Sequence, residues 1–132
     1  MHPKMLANDL CRSLRSCTMI PITVNDPVCA KGHDLASLRL DLIKSHEDGL
    51  IDYAGVYIIG NDQDVLRIGE GGDGLMGNRV FRQIDQAWML KSTTVCFVRI
   101  TPPEFSKLGE QMAFALYFKT HGRLPSHNPV WR

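Results

Sequence analysis

The stretch that decides the fold is AGVYIIGNDQDVLRIG, residues 54–69. It contains two short apolar runs, residues 54–60 and 65–69, separated by the polar residues 61–64. The first run is rich in β-branched and aromatic side chains, which are typical of a pleated, half-buried surface. Because a short polar segment between two such runs fits a hairpin loop, we predict an antiparallel β-hairpin.

The hairpin leads into a glycine-rich segment, GEGGDG, at residues 69–74. Its G-x-G-x-x-G spacing also occurs in dinucleotide-binding folds. Such a fold needs further parallel strands and an acidic residue about 20 positions later, and only one strong strand pattern follows residue 75. We therefore interpret the glycines as a loop in which the backbone can approach a phosphate closely, and keep dinucleotide binding as an alternative.

The surrounding pattern predicts helices on both sides of the hairpin. Residues 34–49 are expected to form a helix that begins at Asp34 as N-cap and stops at Gly49. One face of this helix carries four apolar residues, namely Leu35, Leu38, Leu42 and Ile43. After the hairpin, three more elements are predicted: a helix over 76–90, a strand over 93–100 that completes a three-stranded sheet, and an apolar helix over 104–120.

Composition indicates an ordinary globular chain. The 132 residues are 44% hydrophobic and 22% charged, which is enough for one domain with its own core. No run of eighteen apolar residues predicts a membrane span, and the first residues do not resemble a signal peptide, so we expect a cytoplasmic protein. Residues 1–33 are interpreted as an N-terminal extension, either packed on the domain or partner-binding, with a short strand as one option over 18–24. Residues 34–132 are interpreted as the functional domain.

Charge is unevenly distributed along the chain. Residues 1–64 hold six Lys and Arg against nine Asp and Glu, a balance of −3, whereas residues 65–132 hold nine against five, a balance of +4. A basic C-terminal half suits a polyanionic partner, although the excess is small.

The four cysteines, Cys11, Cys17, Cys29 and Cys96, form no C-x-x-C pair. Disulfides are not expected in a cytosolic protein, and Cys96 lies in an apolar run that predicts a core position. Cys29 and His33, near Cys11 and Cys17, leave a zinc site as an alternative.

The hairpin also carries a family resemblance. Gly55-Val56-Tyr57, followed after nine residues by Arg67-Ile68-Gly69, resembles the paired signature of the GIY-YIG nuclease family. Members of that family carry an arginine on the helix after the second tripeptide, a glutamate in a later helix and a closing Pro-x-x-Asn. This chain offers the three in the same order, as Arg79, Glu110 and PSHN at residues 125–128.

The resemblance covers about residues 53–128. It implies a small α/β (α+β) domain, with a three-stranded, mainly antiparallel sheet flanked by helices. It also implies hydrolysis of DNA phosphodiester bonds with Mg²⁺ or Mn²⁺ as cofactor. Sequence specificity would come from a homodimer, from the N-terminal residues or from a partner protein, because no second domain is evident.

The resemblance assigns a role to each matching residue. Tyr57 would activate the attacking water, Arg79 would contact the scissile phosphate through its planar fork, and Glu110 would hold the metal. Arg82 is an alternative for that phosphate contact, and Arg82 and Lys91 would also contact the nucleic acid. Supporting roles fall to three residues of the motifs, Gly55, Gly69 and Asn128; the asparagine amide is expected to tie the C-terminal loop to the strands of the site.

Two residues depart from the family pattern. Arg67 stands where the second tripeptide usually begins with Tyr, and Gln83 stands where members often carry His or Tyr four residues after the arginine. A guanidinium near Tyr57 would favour the phenolate, whereas Gln83 could only position groups by hydrogen bonds. These departures leave an alternative open: a catalytically inactive nucleic-acid-binding or protein-interaction module on the same fold.

Overall fold

A computed structural model describes residues 5–16, 22–32, 35–49, 53–72 and 93–128. Within these residues the chain is an α+β structure with three α-helices and a five-stranded open sheet. In chain order the elements are α1 (Ala7–Arg15), β1 (Thr23–Val24), β2 (Val28–Gly32), α2 (Leu35–Glu47), β3 (Gly55–Gly60), β4 (Val65–Gly71), β5 (Thr93–Thr101), a 3₁₀ turn (Pro103–Phe105) and α3 (Ser106–His121).

The predicted hairpin and the strand after it form the centre of the sheet. β3 pairs antiparallel with β4 on one side and with β5 on the other, so the expected three-stranded sheet is present. The short strands β1 and β2 both pair antiparallel with β5 and extend the sheet to five strands. Since every described pairing is antiparallel, a dinucleotide-binding fold with parallel strands finds no support.

Alternation along the strands gives the sheet two buried faces. Val56, Ile58 and Ile68 belong to a core cluster that includes side chains from α1 and α3. The intervening residues Tyr57 and Ile59 are also buried but point to the opposite face. Leu38 and Leu42 of α2 are fully buried outside that cluster, and α2 packs on β2 and β5. We call these faces the α1/α3 face and the α2 face.

The described part of residues 1–33 contributes directly to the core. α1 is an amphipathic helix that buries Ala7, Leu10, Cys11 and Leu14 in the cluster on the α1/α3 face. This helix is not predicted from the sequence, because residues 1–30 show no clean hydrophobic periodicity. Its nine residues are a weak sequence signal, and the stability of so short a helix comes mainly from packing.

Helix boundaries follow the prediction with small shifts. α2 occupies the range expected for the helix after residue 34, but Ile43 is 39% exposed and does not join the buried face. α3 begins at Ser106 after the 3₁₀ turn and ends at Gly122, which adopts a left-handed φ of 69° typical of a helix stop. The predicted helix over 76–90 lies outside the described residues. No helix in the described ranges has the length and apolarity needed to cross a membrane.

Two cysteines face each other across paired strands. Cys29 of β2 lies directly opposite Cys96 of β5, with their Cα atoms 4.2 Å apart and their sulfurs positioned as a disulfide. The expectation that the cysteines stay unpaired is therefore wrong for this pair, because the strand register, which the sequence does not reveal, brings them together. A zinc site at Cys29 is not supported, since its sulfur is directed at Cys96.

Candidate functional site around the paired tripeptides

The two tripeptides of the motif lie side by side on neighbouring strands. Tyr57 of β3 is directly opposite Gly69 of β4. The ring and hydroxyl of Tyr57 lie over Gly69, where a Cβ atom would be only 2.6 Å from Cε1 and closer still to Cζ and Oη. Gly69 is thus required because the tyrosine occupies the space of any side chain at that position. Tyr57 itself is only 3% exposed.

Arg67 shares the face of Tyr57 but reaches in another direction. Its Nη1 donates a 2.6 Å hydrogen bond to the backbone carbonyl of His127, in the C-terminal loop. Its Nε is buried without a hydrogen-bond partner in the described structure. The guanidinium therefore anchors the loop to β4, and this geometry does not support the expected activation of the Tyr57 phenol by Arg67.

Asn128 ties the C-terminal loop to a strand of the site, as the family resemblance implied. Its Oδ1 accepts a hydrogen bond from the Ile68 N–H at 2.8 Å, and its Nδ2 donates to the Ile68 carbonyl at 2.9 Å. The His127 N–H also donates to the Leu66 carbonyl. The C-terminal loop thus supplies hydrogen-bond partners for backbone groups on the outer edge of β4. The asparagine amide bonds to the Ile68 backbone as a residue of a neighbouring strand would.

Glu110 lies on the buried stripe of α3, and its side chain is 11% exposed. Its Oε1 accepts a hydrogen bond and ion pair from Lys107 Nζ at 2.8 Å. One turn earlier, Ser106 Oγ donates to Glu70 Oε2 at 3.0 Å, so the acid between the motif glycines is bound to the start of the same helix. Glu70 is not among the site residues predicted from the sequence, because its only signal was an acidic residue between two glycines.

The sheet separates the helix of Glu110 from the ring of Tyr57. Gly109, the neighbour of Glu110, packs closely against the sheet: a Cβ atom placed on it would lie 3.2 Å from Val56 and 3.1 Å from Ile100. This contact shows that α3 lies on the α1/α3 face. Tyr57 follows Val56 in β3 and points to the α2 face. The two residues expected to share an active site therefore lie on opposite faces of the described sheet.

The donor atoms allow one test of a Mg²⁺ or Mn²⁺ site. Glu110 supplies a hard carboxylate, and Mg²⁺ is often held by one or two carboxylates with water completing its shell. One of the Glu110 oxygens already binds Lys107. Among the described side chains no group of three or more His, Cys, Asp or Glu could hold a metal ion. Glu110 fits a metal as a single ligand.

Four of the candidate residues fall outside the described part of the chain. These are Arg79, Arg82, Gln83 and Lys91. Residues 73 and 74 of the glycine-rich loop lie outside it as well. The phosphate contacts and the proton-transfer position expected from the family motif therefore stay predictions.

A polar network at the hairpin turn was not anticipated. Asp64 accepts hydrogen bonds from the Tyr117 hydroxyl at 2.7 Å and from Arg123 Nη2 at 2.5 Å. Burial alone would raise the pKa of Asp64, but the bonds from Arg123 and Tyr117 hold it below its ordinary value. The pKa of Tyr117 is raised mainly by burial and further by the Asp64 carboxylate. The network fastens the β3–β4 turn to the end of α3, and we interpret it as structural because its groups satisfy one another.

A charged and aromatic pair lies at the other end of β3. The Arg99 guanidinium stacks 4.0 Å from the centre of the Tyr53 ring, and Tyr53 is 40% exposed. Arg99 pairs in register with Gly55, two positions from the Phe97–Tyr57 pair, so its side chain shares the α2 face with Tyr57. The only sequence signal was a single arginine within the apolar run of β5.

Comparison of the chain with protein-family models, with curated proteins and with solved structures finds no match.

Proposed function

We propose that the chain is a GIY-YIG-type endonuclease that hydrolyses DNA phosphodiester bonds with the help of a divalent metal ion. The observation that carries the proposal is the pairing of the two tripeptides, with Tyr57 seated over Gly69. The closing asparagine supports it further, because Asn128 holds the backbone of Ile68, the central residue of the second tripeptide.

Each remaining role follows from the chemistry of the side chain. In this proposal Tyr57 orients and deprotonates the attacking water, a step that general-base catalysis accelerates by about 10²–10⁴-fold. Arg79 binds two oxygens of the scissile phosphate, with Arg82 and Lys91 on neighbouring phosphates. Arg67 acts by holding the C-terminal loop against β4, as its bond to the His127 carbonyl indicates.

Glu110 is the residue that would hold Mg²⁺ or Mn²⁺. When bound, such an ion polarises the phosphoryl oxygen and stabilises the charge that develops on the leaving group. Lys107 keeps the Glu110 carboxylate oriented and partly neutralised at 2.8 Å.

A second candidate function is a nucleic-acid-binding or protein-interaction module that has this fold and does not hydrolyse its partner. It is favoured by a specific observation: Tyr57 is 3% exposed and points to the face opposite α3, which carries Glu110. A water-activating phenol and a metal-holding carboxylate would have to act on one phosphate, and in this arrangement they do not converge.

Nicking of supercoiled plasmid tests the two candidates against each other. The enzyme is expected to nick DNA with Mg²⁺ or Mn²⁺ and to stop in EDTA. Glu110→Gln and Tyr57→Phe should abolish or greatly slow nicking while DNA binding stays close to wild type. Lys107→Gln is the matched control, because it breaks the same ion pair and leaves the carboxylate in place. We expect it to nick within about fivefold of wild type, since a half-exposed ion pair is worth at most ~1 kcal/mol.

The outcomes separate cleanly. A Glu110→Gln protein that nicks at the wild-type rate rejects the metal role. A Tyr57→Phe protein whose nicking rate falls by less than about tenfold rejects the catalytic role of Tyr57 and leaves it as a core residue. A wild-type protein that binds DNA and nicks under no metal rejects the enzyme and supports the binding module. We propose DNA as the partner, with specificity supplied by a second copy or a partner protein. The cytoplasmic setting stays a prediction, and the Cys29–Cys96 disulfide counts against it, because such bridges are rare in reducing compartments.

A further inference from the structure

The end of the sheet where β3 begins carries an exposed pair that the nuclease roles do not use. Tyr53 precedes β3, and the Arg99 guanidinium lies 4.0 Å from the centre of its ring. Both side chains are exposed to solvent, Tyr53 at 40% of its surface. An exposed aromatic ring with a guanidinium on one side offers a planar surface and a positive charge together.

The row that runs from Arg99 across β3 and β4 carries no other side chain. Arg99 of β5 is opposite Gly55 of β3, and Gly55 is opposite Gly71 of β4. Gly55 cannot be replaced without cost, because a Cβ there would collide with the Val98 carbonyl. Across these three strands, the guanidinium is therefore the only side-chain group that the row provides.

The charge of Arg99 is not neutralised within the described part of the chain. The ion pairs there use other arginines and lysines, namely Arg12, Arg15, Lys107 and Arg123. A guanidinium that stacks on a ring, with no carboxylate partner among the described residues, is suited to a phosphate, which it can bind through two parallel N–H···O bonds.

We propose that Tyr53 and Arg99 form a binding site for an unpaired nucleotide of single-stranded DNA, with the base stacked on the Tyr53 ring and the adjacent phosphate on Arg99. The inference rests on the proposed function in one respect, namely that the chain acts on DNA. Single strands are the fitting partner because an unpaired base presents its face to an aromatic ring, whereas the faces in a duplex are covered by neighbouring base pairs. Since Arg99 shares the face of Tyr57, the site would hold DNA beside the paired tripeptides.

The test is fluorescence anisotropy of the full chain with a labelled oligothymidine, in EDTA so that cleavage cannot interfere. Tyr53→Ala should weaken binding about 5- to 150-fold, the range of one base–aromatic stack. Tyr53→Phe should bind within about twofold of wild type, because the ring remains. Arg99→Gln should weaken binding and reduce the salt slope by about 0.7, the value for one phosphate on a single strand.

Lys119→Gln is the matched control, because it removes one exposed charge from the end of α3 on the other side of the sheet. It should change binding little. Equal losses for Lys119→Gln and Arg99→Gln, an unaffected Tyr53→Ala, or a Tyr53→Ala loss just as large on a duplex of the same length would overturn the proposal. Circular dichroism melting confirms that each variant is folded.

This experiment and the nicking assay fail independently. Binding that depends on Tyr53 and Arg99 without any nicking upholds the nucleotide site and rejects the enzyme. Nicking that is unchanged by both substitutions, with unchanged binding, rejects the nucleotide site and leaves the enzyme intact.

Discussion

The contact between Tyr57 and Gly69 gives a quantitative prediction about stability. A Cβ at residue 69 would stand 2.6 Å from Tyr57 Cε1 and closer still to Cζ and Oη, whereas ordinary contacts begin at 3.4 Å, so the ring must withdraw by more than 0.8 Å. Tyr57 is 3% exposed and has little room to withdraw. Gly69→Ala should therefore destabilise the fold by about 1–3 kcal/mol, the usual cost of overpacking a core.

The same substitution should become harmless once the ring is removed. Tyr57→Ala by itself should cost about 3–5 kcal/mol, because it empties a buried aromatic site. In that background the methyl group introduced by Gly69→Ala enters the vacated space, and alanine is favoured over glycine within a strand by about 0.5–1 kcal/mol. The two substitutions should thus show a coupling energy of roughly 1.5–4 kcal/mol, with the double variant more stable than the single effects predict.

Urea unfolding followed by circular dichroism measures all four proteins of this cycle. Ile58→Val is the control partner for Gly69→Ala, because Ile58 points to the α1/α3 face and cannot meet the new methyl group. That pair should be additive within about 0.5 kcal/mol. Additivity of the Tyr57→Ala and Gly69→Ala effects as well would refute the proposed packing of the ring over the glycine.

Two further predictions concern the turn network and the cysteines. Tyr117→Phe should cost about 1–2 kcal/mol in urea unfolding, because it removes a partly buried hydrogen bond to Asp64. Since the pKa of Asp64 is depressed in the folded chain, its contribution to stability is present above about pH 4 and is lost as the pH falls further. An Asp64→Asn protein should therefore lose less free energy of unfolding than wild type between about pH 7 and pH 3. An equal loss in the two proteins would contradict the network. In the purified, air-oxidised protein, denaturation without reductant should expose two thiols of the four cysteines, because Cys29 and Cys96 are bridged, and a count of four would exclude the bridge. In the folded protein Cys11 should resist alkylation, because burial raises its pKa to about 12 and the thiolate is the reactive form.

The sequence located the elements that local patterns determine. The short apolar runs predicted β3, β4 and β5, and the apolar helix predicted over 104–120 is present as α3, which stops at Gly122. These predictions are confirmed because a strand, a turn and the end of a helix each depend on a few adjacent residues. The family resemblance also implied that the Asn128 amide ties the C-terminal loop to the strands of the site. Its two hydrogen bonds to Ile68 form such a tie, and the structure adds that the partner lies in the second tripeptide.

Other features depend on residues that are far apart in the chain. The Cys29–Cys96 pairing follows from the register of β2 on β5, and the Arg67 bond to the His127 carbonyl joins residues sixty positions apart. A sequence pattern records which residue types are present, but it does not record which strands become neighbours.

The candidate site shows the same division most clearly. The sequence by itself determined that Tyr57 and Gly69 belong to one hairpin and that Glu110 belongs to a later helix. Only the tertiary structure decided on which side of the sheet each one lies. The physical reason is that alternation fixes which residues of a strand share a face. Which face of the sheet a helix covers depends instead on the packing of its apolar stripe against residues that are distant in the chain. Here α3 packs on Val56, and Tyr57, the next residue along β3, points the other way.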